Sequence, residues 1–318
     1  MTLVWWDLSG VRATGLAALL LLGAVPGARA QIDVVASFSI LGDMARQIAG
    51  ERARVTVLVG PDSDAHSYQP TPADARAVAR AGLVVVNGFG FEGWLDRLIR
   101  ASGYKGKVAV AASGVTTLTM TAEDEDERPG ARKQREVLRP KQVTDPHAWQ
   151  DLANGRRYVA NIAAALSDAD PAGTEHYRRR ADTYAAEIDR LDAEVRRAIR
   201  AIDPARRKII TAHDAFGYFG AAYGVTLLAP VGISTETEPS AGAVARLIQQ
   251  MRREGIKVVF VENMTDPRLV QQIAREAGGR LGGTLYADAL SKPGGPADSY
   301  LKMFRHNLGL MTAAMRAN

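Results

Sequence analysis

The feature that most constrains this chain is one apolar stripe through residues 170–203. Tyr177, Ala181, Tyr184, Ile188, Leu191, Val195, Ala198 and Ile202 recur at spacings that alternate between four and three, with charged residues between them. That period predicts one long amphipathic helix, about 45 Å long for roughly 30 residues at 1.5 Å each. A rod of this length must lie against something equally long. A coiled-coil dimer would need more than about four heptads and a seam better suited than one carrying two tyrosines. A helix laid across two lobes fits better.

The sequence on either side of the stripe repeats a pattern. Val34–Ser37, Val55–Val59 and Leu83–Val86 read as short buried strands in the first half, as do Lys208–Thr211, Val225–Leu228 and Val258–Val261 in the second. Strands alternating with helical segments predict parallel βαβ units. Gln69-Pro-Thr-Pro-Ala precedes a helix and the Leu83 strand, while Glu238-Pro-Ser-Ala-Gly precedes a helix and the Val258 strand. Thr71 before Pro72 and Asp266 before Pro267 read as N-caps before a first-turn proline, and Gly82 and Gly255 as helix stops. The fold expected is α/β: two pseudo-symmetric (βα)4-type lobes with parallel sheets, bridged by one long rigid helix. The divisions are an N-terminal lobe at 31–169, the linking helix at 170–203 and a C-terminal lobe at 204–318.

Residues 1–30 read as a secretory signal peptide. Arg12 precedes the apolar run Gly15–Leu22, and Ala28-Arg-Ala30 has the small-residue form of a cleavage site. The run is too short to span a bilayer, which takes roughly 20 residues. With no cysteine anywhere, disulfides, thiolate metal sites, cysteine nucleophiles and a lipidated cysteine are excluded. The expectation is therefore a soluble monomer, secreted to the periplasm and not lipid-anchored. The net charge of +5 is spread along helices rather than gathered into a stripe, so nucleic acid is not an expected partner. One segment is strongly biased: Glu123–Glu127 followed by Arg128–Lys141, predicted to be a charged, solvated, mobile loop across 121–142.

The chain has only five histidines, so their positions carry information. His66 lies in Gly60-Pro-Asp-Ser-Asp-Ala-His-Ser-Tyr-Gln-Pro70, just past a strand; His147 lies in Asp145-Pro-His-Ala-Trp149; His213 lies two residues past the Lys208 strand. Loops beyond the carboxyl ends of parallel strands form the binding crevice of α/β sheets. Two of these histidines come from one lobe and one from the other, so they can converge only between the lobes. By the repeat, the position in the second lobe that corresponds to the second ligand loop of the first reads Ala287-Asp-Ala-Leu-Ser291 and offers Asp288 as the fourth ligand. Three imidazoles and a carboxylate complete a tetrahedral metal site. His176 and His306 lie on amphipathic helices with no partner motif and read as bystanders. Tyr68, Asp145 and Glu262 are the candidates for orienting the ligand rings.

On these residues the chain resembles the zinc- and manganese-specific solute-binding proteins of ABC importers, the ZnuA/TroA/PsaA-like family. His66-Ser-Tyr-Gln-Pro70 is similar to the family's H-x-Y-E-P, with Gln69 in place of Glu, and Asp145-Pro-His, the His213 strand end and Tyr286–Ser291 followed by Asp298-Ser-Tyr300 match as well. The resemblance spans nearly all of residues 31–318 and implies metal ligation by His66, His147, His213 and Asp288. The third imidazole and a charged loop free of histidine look most like AztC-type zinc-binding proteins. The resemblance implies one Zn2+ per chain, with Mn2+ as the alternative, carried to an ABC permease and its ATPase subunit, with a metallochaperone as a further partner. The protein is not expected to be an enzyme. A zinc-dependent hydrolase is the rival class, but it would need Asp288 as a base rather than a ligand, and no H-E-x-x-H motif is present.

Overall fold

The computed structural model describes residues 1–3, 31–121, 142–236 and 239–318. The predicted leader and the charged loop lie, apart from their ends, outside the described residues. Among the described residues no helix is long and apolar enough to cross a membrane.

The first lobe runs β1 (Ile32–Phe38), α1 (Ser39–Ala49), β2 (Ala53–Val59), α2 (Pro72–Arg80), β3 (Leu83–Val86), α3 (Leu95–Ser102) and β4 (Lys107–Val110). Then come β5 (Thr119–Thr121), β6 (Gln142–Thr144), α4 (Leu152–Ala169) and the long α5 (Thr174–Arg200). The second lobe runs β7 (Lys208–Ile210), α6 (Gly217–Tyr223), β8 (Thr226–Leu228), α7 (Ala241–Glu254), β9 (Val258–Glu262), α8 (Arg268–Ala277), β10 (Arg280–Leu285) and α9 (Tyr300–Ala317). The two sheets are ordered β2-β1-β3-β4 and β10-β9-β7-β8, and every pairing within them is parallel. Counted within its own half, each sheet reads second, first, third, fourth, so the predicted repeat is present as a shared topology.

The sheet cores follow from composition. All four residues of β3 are buried, as are Val34–Phe38 of β1, which is the continuous apolar run expected of a parallel strand covered on both faces. The fourth strands, β4 and β10, lie at the sheet edges and are largely exposed, Val108, Val110 and Leu281 included. Thr71 caps α2 through a reciprocal capping box with Asp74, and Gly255 ends α7 at φ 67°. Two expected boundaries shift. Helix α8 begins at Arg268, with Asp266 Oδ1 accepting the Arg268 N–H at 3.0 Å. Helix α2 ends at Arg80, and Gly82 instead joins the sheet by donating to the Asp33 carbonyl at 2.8 Å.

Helix α5, 27 residues and about 40 Å long, packs on α1 and α4 of the first lobe and on α6 and α9 of the second. Its buried row is Tyr177, Ala181, Tyr184, Ile188, Leu191, Val195 and Ile199. Ile199 joins the row in place of the predicted Ala198, which is only partly buried as the row drifts around the helix, and the predicted Ile202 is buried just past the helix end. The antiparallel pairing of β5 with β6 closes the base of segment 122–141, a ribbon the sequence reading did not anticipate.

Candidate metal site

Each of the four predicted ligands sits at the carboxyl end of a strand or just beyond it. His66 lies in the loop after β2, His147 between β6 and α4, His213 after β7 and Asp288 after β10. All four are buried, and one ligand atom from each lies within 4.8 Å of the others. Asp288 Oδ2 is 3.1 Å from His213 Nε2 and 3.3 Å from His66 Nε2, and Oδ1 is 3.6 Å from His147 Nε2. His66 and His147 approach each other through their Nε2 atoms at 3.3 Å.

Two of the three rings are oriented by carboxylates. Asp145 Oδ1 pairs with His147 Nδ1 at 2.8 Å and accepts the His147 backbone N–H at 2.9 Å. Glu262, the last residue of β9, pairs with His213 Nδ1 and accepts the Ala212 and His213 backbone N–H groups at 3.0 and 3.2 Å. A proton held on Nδ1 leaves the Nε2 lone pair facing the center of the cluster. The His66 ring packs edge-on against Phe91, with centroids 4.6 Å apart, and Trp94 Nε1 donates to the carbonyl of the preceding Ala65 at 2.8 Å. Tyr68 does not join this set. Its hydroxyl donates to Asp74 at 2.8 Å and its ring packs on Trp94, because the capping box of α2 draws it away from the cleft.

Further groups, unmarked in sequence, hold these segments. Asn87, after β3, donates to the Pro146 carbonyl at 2.9 Å and accepts from Tyr158 at 2.6 Å, fixing the turn before His147. Asn307 of α9 grips Tyr286 at both its N–H and its carbonyl, at 3.0 and 2.7 Å, two residues before Asp288. Only the fold reveals these partners, since each lies far from its target in sequence.

The electrostatics are those of a cation site. Both oxygens of Asp288, together with His213 Nε2, are buried with no hydrogen bond. Short distances without hydrogen-bond alignment mean that lone pairs point toward a shared center, an arrangement costly to bury without a cation. Burial raises the Asp288 carboxyl, but His147 and His213 outweigh it and hold the group well below the usual carboxylate range. Burial pushes His147 down, yet Asp288 and Asp145 carry it up to about 9. His213 is likewise driven up by Glu262 and Asp288 against its burial. Beside it, Asp214 is pushed up to about 6 by burial and by the neighboring Asp145.

Two parallel α/β lobes, a long helix across both, and four inward-facing ligands at the strand ends define a metal-binding solute-binding protein. The family described as zinc-uptake complex component A, periplasmic, matches residues 34–314, and the chain belongs to it. The manganese-binding lipoprotein MntA of Halalkalibacterium halodurans is 30% identical over 284 residues, 89% of this chain and 88% of its own. The iron-binding protein YfeA of Yersinia pestis is 33% identical over 273 residues, 86% of this chain and 83% of its own. Among solved structures, the periplasmic zinc binding protein TroA from Treponema pallidum superposes with a TM-score of 0.79 at 26% identity, covering 90% of this chain and 99% of that one. The chain is thus a metal-binding substrate-binding protein of an ABC importer, and not an enzyme.

The relatives correct one expectation. MntA, FimA, PsaA and MtsA are all named lipoproteins, so the expected free, unanchored periplasmic location does not stand. The physical reason is that lack of cysteine bears on a single chemistry of attachment, whereas location depends on processing that the folded lobes do not record.

Proposed function

We propose that this protein captures one Zn2+ per chain through His66, His147, His213 and Asp288, and delivers it to a membrane permease driven by an ATPase subunit. In this reading residues 31–169 and 204–318 are the two lobes, 170–203 is the strut between them, and the protein acts as a monomer. The observation that carries the metal assignment is the buried Asp288 carboxylate, whose two unbonded oxygens face three imidazole Nε2 atoms. Three imidazoles favor zinc, a borderline-soft ion at home in four-coordinate nitrogen and oxygen sites.

Manganese is the second reading, because both Asp288 oxygens face the cluster. A carboxylate ligating through both would supply five donors, closer to what a harder ion prefers. Relatives named for manganese, iron and zinc are all similar to this chain. The test is titration of chelator-stripped protein with Zn2+ and Mn2+, singly and in competition, with bound metal measured by elemental analysis. The zinc reading expects one ion per chain and zinc retained against equimolar manganese. Retention of manganese would overturn the choice of ion, and no stoichiometric metal at all would overturn the function.

A further inference from the structure

The loop that carries His66 is fastened to the opposite lobe by two aspartates that the metal reading leaves unused. Asp64 Oδ1 accepts the His66 backbone N–H at 2.9 Å. Its Oδ2 accepts the hydroxyls of Ser67 at 2.9 Å and of Thr235 at 2.6 Å. Thr235 lies in the second lobe, between β8 and α7, so one carboxylate joins a ligand's backbone to the far side of the cleft. Asp62 makes a second tie. Its N–H donates to the Leu290 carbonyl at 3.0 Å, and its Oδ1 accepts from Asn263 Nδ2 at 2.9 Å. Leu290 stands two residues past Asp288, and Asn263 directly follows Glu262. Asp62 adopts φ 54°, a left-handed conformation that aspartate tolerates better than most residues, and the chain turns there toward the second lobe.

The other histidines are secured differently. His147 and His213 are held at their rings by Asp145 and Glu262, each carboxylate within the same lobe as its histidine. His66 is held through its backbone by a group that also spans the cleft. Freeing Asp64 from Thr235 therefore loosens a ligand and an inter-lobe contact together, while α5 stays packed on both lobes.

We propose that Asp62 and Asp64 are positioning residues that latch the His66 loop over the bound metal, and that release of their bonds to Thr235 and Asn263 limits the rate of metal dissociation. This rests on the metal assignment above and deepens it by naming the segment that must move.

The test is stopped-flow dissociation of zinc-loaded protein into excess chromophoric chelator, with zinc per chain and the metal-free melting temperature measured for every variant. Thr235→Val removes the hydroxyl and nearly keeps the shape. It should release zinc about ten-fold faster, the scale of one hydrogen bond to a charged acceptor, and Thr235→Ser should restore the original rate. Asn263→Ala should also accelerate release, and it carries the same comparison should Thr235→Val melt much lower. Unchanged dissociation in both variants, each still holding one zinc, overturns the latch and leaves the metal assignment standing. A wild-type protein that holds no zinc overturns both, and the stoichiometry tells the two failures apart.

Discussion

The indole Nε1 of Trp149 donates to the carbonyl oxygen of Ala287 at 3.0 Å, joining the turn that carries His147 to the segment that carries Asp288. Gln150 Nε2 reaches the same oxygen at 2.8 Å. Tyr300, the first residue of α9, donates its hydroxyl to the Trp149 carbonyl at 2.5 Å and its backbone N–H to Asp43 of α1 at 2.8 Å. Ligand-bearing segments of the two lobes are therefore cross-linked beside the site, which fits a protein that exchanges metal by small local movements rather than by wide hinging.

The shared acceptor makes a non-additive prediction. Trp149→Phe keeps a ring against Phe38 and Phe91, and Gln150→Ala leaves the indole bond in place. Each single change should cost about 1 kcal/mol, because the Ala287 carbonyl keeps one donor. The double change strands a buried carbonyl and should exceed the sum by about 1 kcal/mol, read from denaturant unfolding in a double-mutant cycle. Simple additivity would mean that the two donors act independently.

Removing a ring-orienting carboxylate should weaken metal binding without abolishing it. Glu262→Ala leaves His213 Nδ1 and two backbone N–H groups unpaired, so metal affinity should fall about 10- to 100-fold. Asp145→Asn retains an acceptor for the His147 N–H and should cost less. Calorimetric titration of each variant checks both the size and the order.

Gly217 leaves room for Asp145. A Cβ there would stand 2.5 Å from Asp145 Oδ2, so Gly217→Ala must displace the carboxylate that holds His147. The expected cost is about 1–3 kcal/mol of overpacking, with a loss of metal affinity alongside. A melting curve unaffected by the change would show that the carboxylate moves aside freely.

Protonation should set stability and metal binding against each other. His147 titrates at about 9 in the metal-free fold, against about 6.5 for an unfolded histidine. A folded-state pKa raised in this way stabilizes the fold fully below about pH 6.5, and the contribution is lost as pH rises through about 9. Metal ligation needs neutral imidazoles, so apparent metal affinity should climb through the same window. Scanning calorimetry from about pH 6 to about pH 10, which spans the roughly 6.5-to-9 window, should show the metal-free protein losing this stabilization. The rise in melting temperature on adding metal should grow over the same range; a constant rise would contradict the assigned protonation.

Much of this architecture is legible in sequence because it is written as periodicity. The α5 stripe and strands such as Leu83–Val86 are buried on a regular pattern, and that pattern predicts their place. Edge strands β4 and β10 are less legible because Lys107–Val110 is short and mostly exposed and Arg280–Leu285 is interrupted by a glycine pair. The His66 and His213 segments are marked by their position after strands, His147 by the scarcity of histidine, and Asp288 by the repeat. Their supports are less visible: Asn87, Asn307 and the Asp64–Thr235 tie depend on contacts across 59, 21 and 171 residues of chain. Tyr68 shows the converse, a residue close to a ligand in sequence whose hydroxyl is claimed by a helix cap.

The most direct test of the central claim is a crystal structure of zinc-loaded protein with anomalous data collected on both sides of the zinc absorption edge. One anomalous peak per chain is expected, about 2.0–2.2 Å from Nε2 of His66, His147 and His213 and from a carboxylate oxygen of Asp288. Zinc bound elsewhere, with those four side chains not ligating it, would contradict the account.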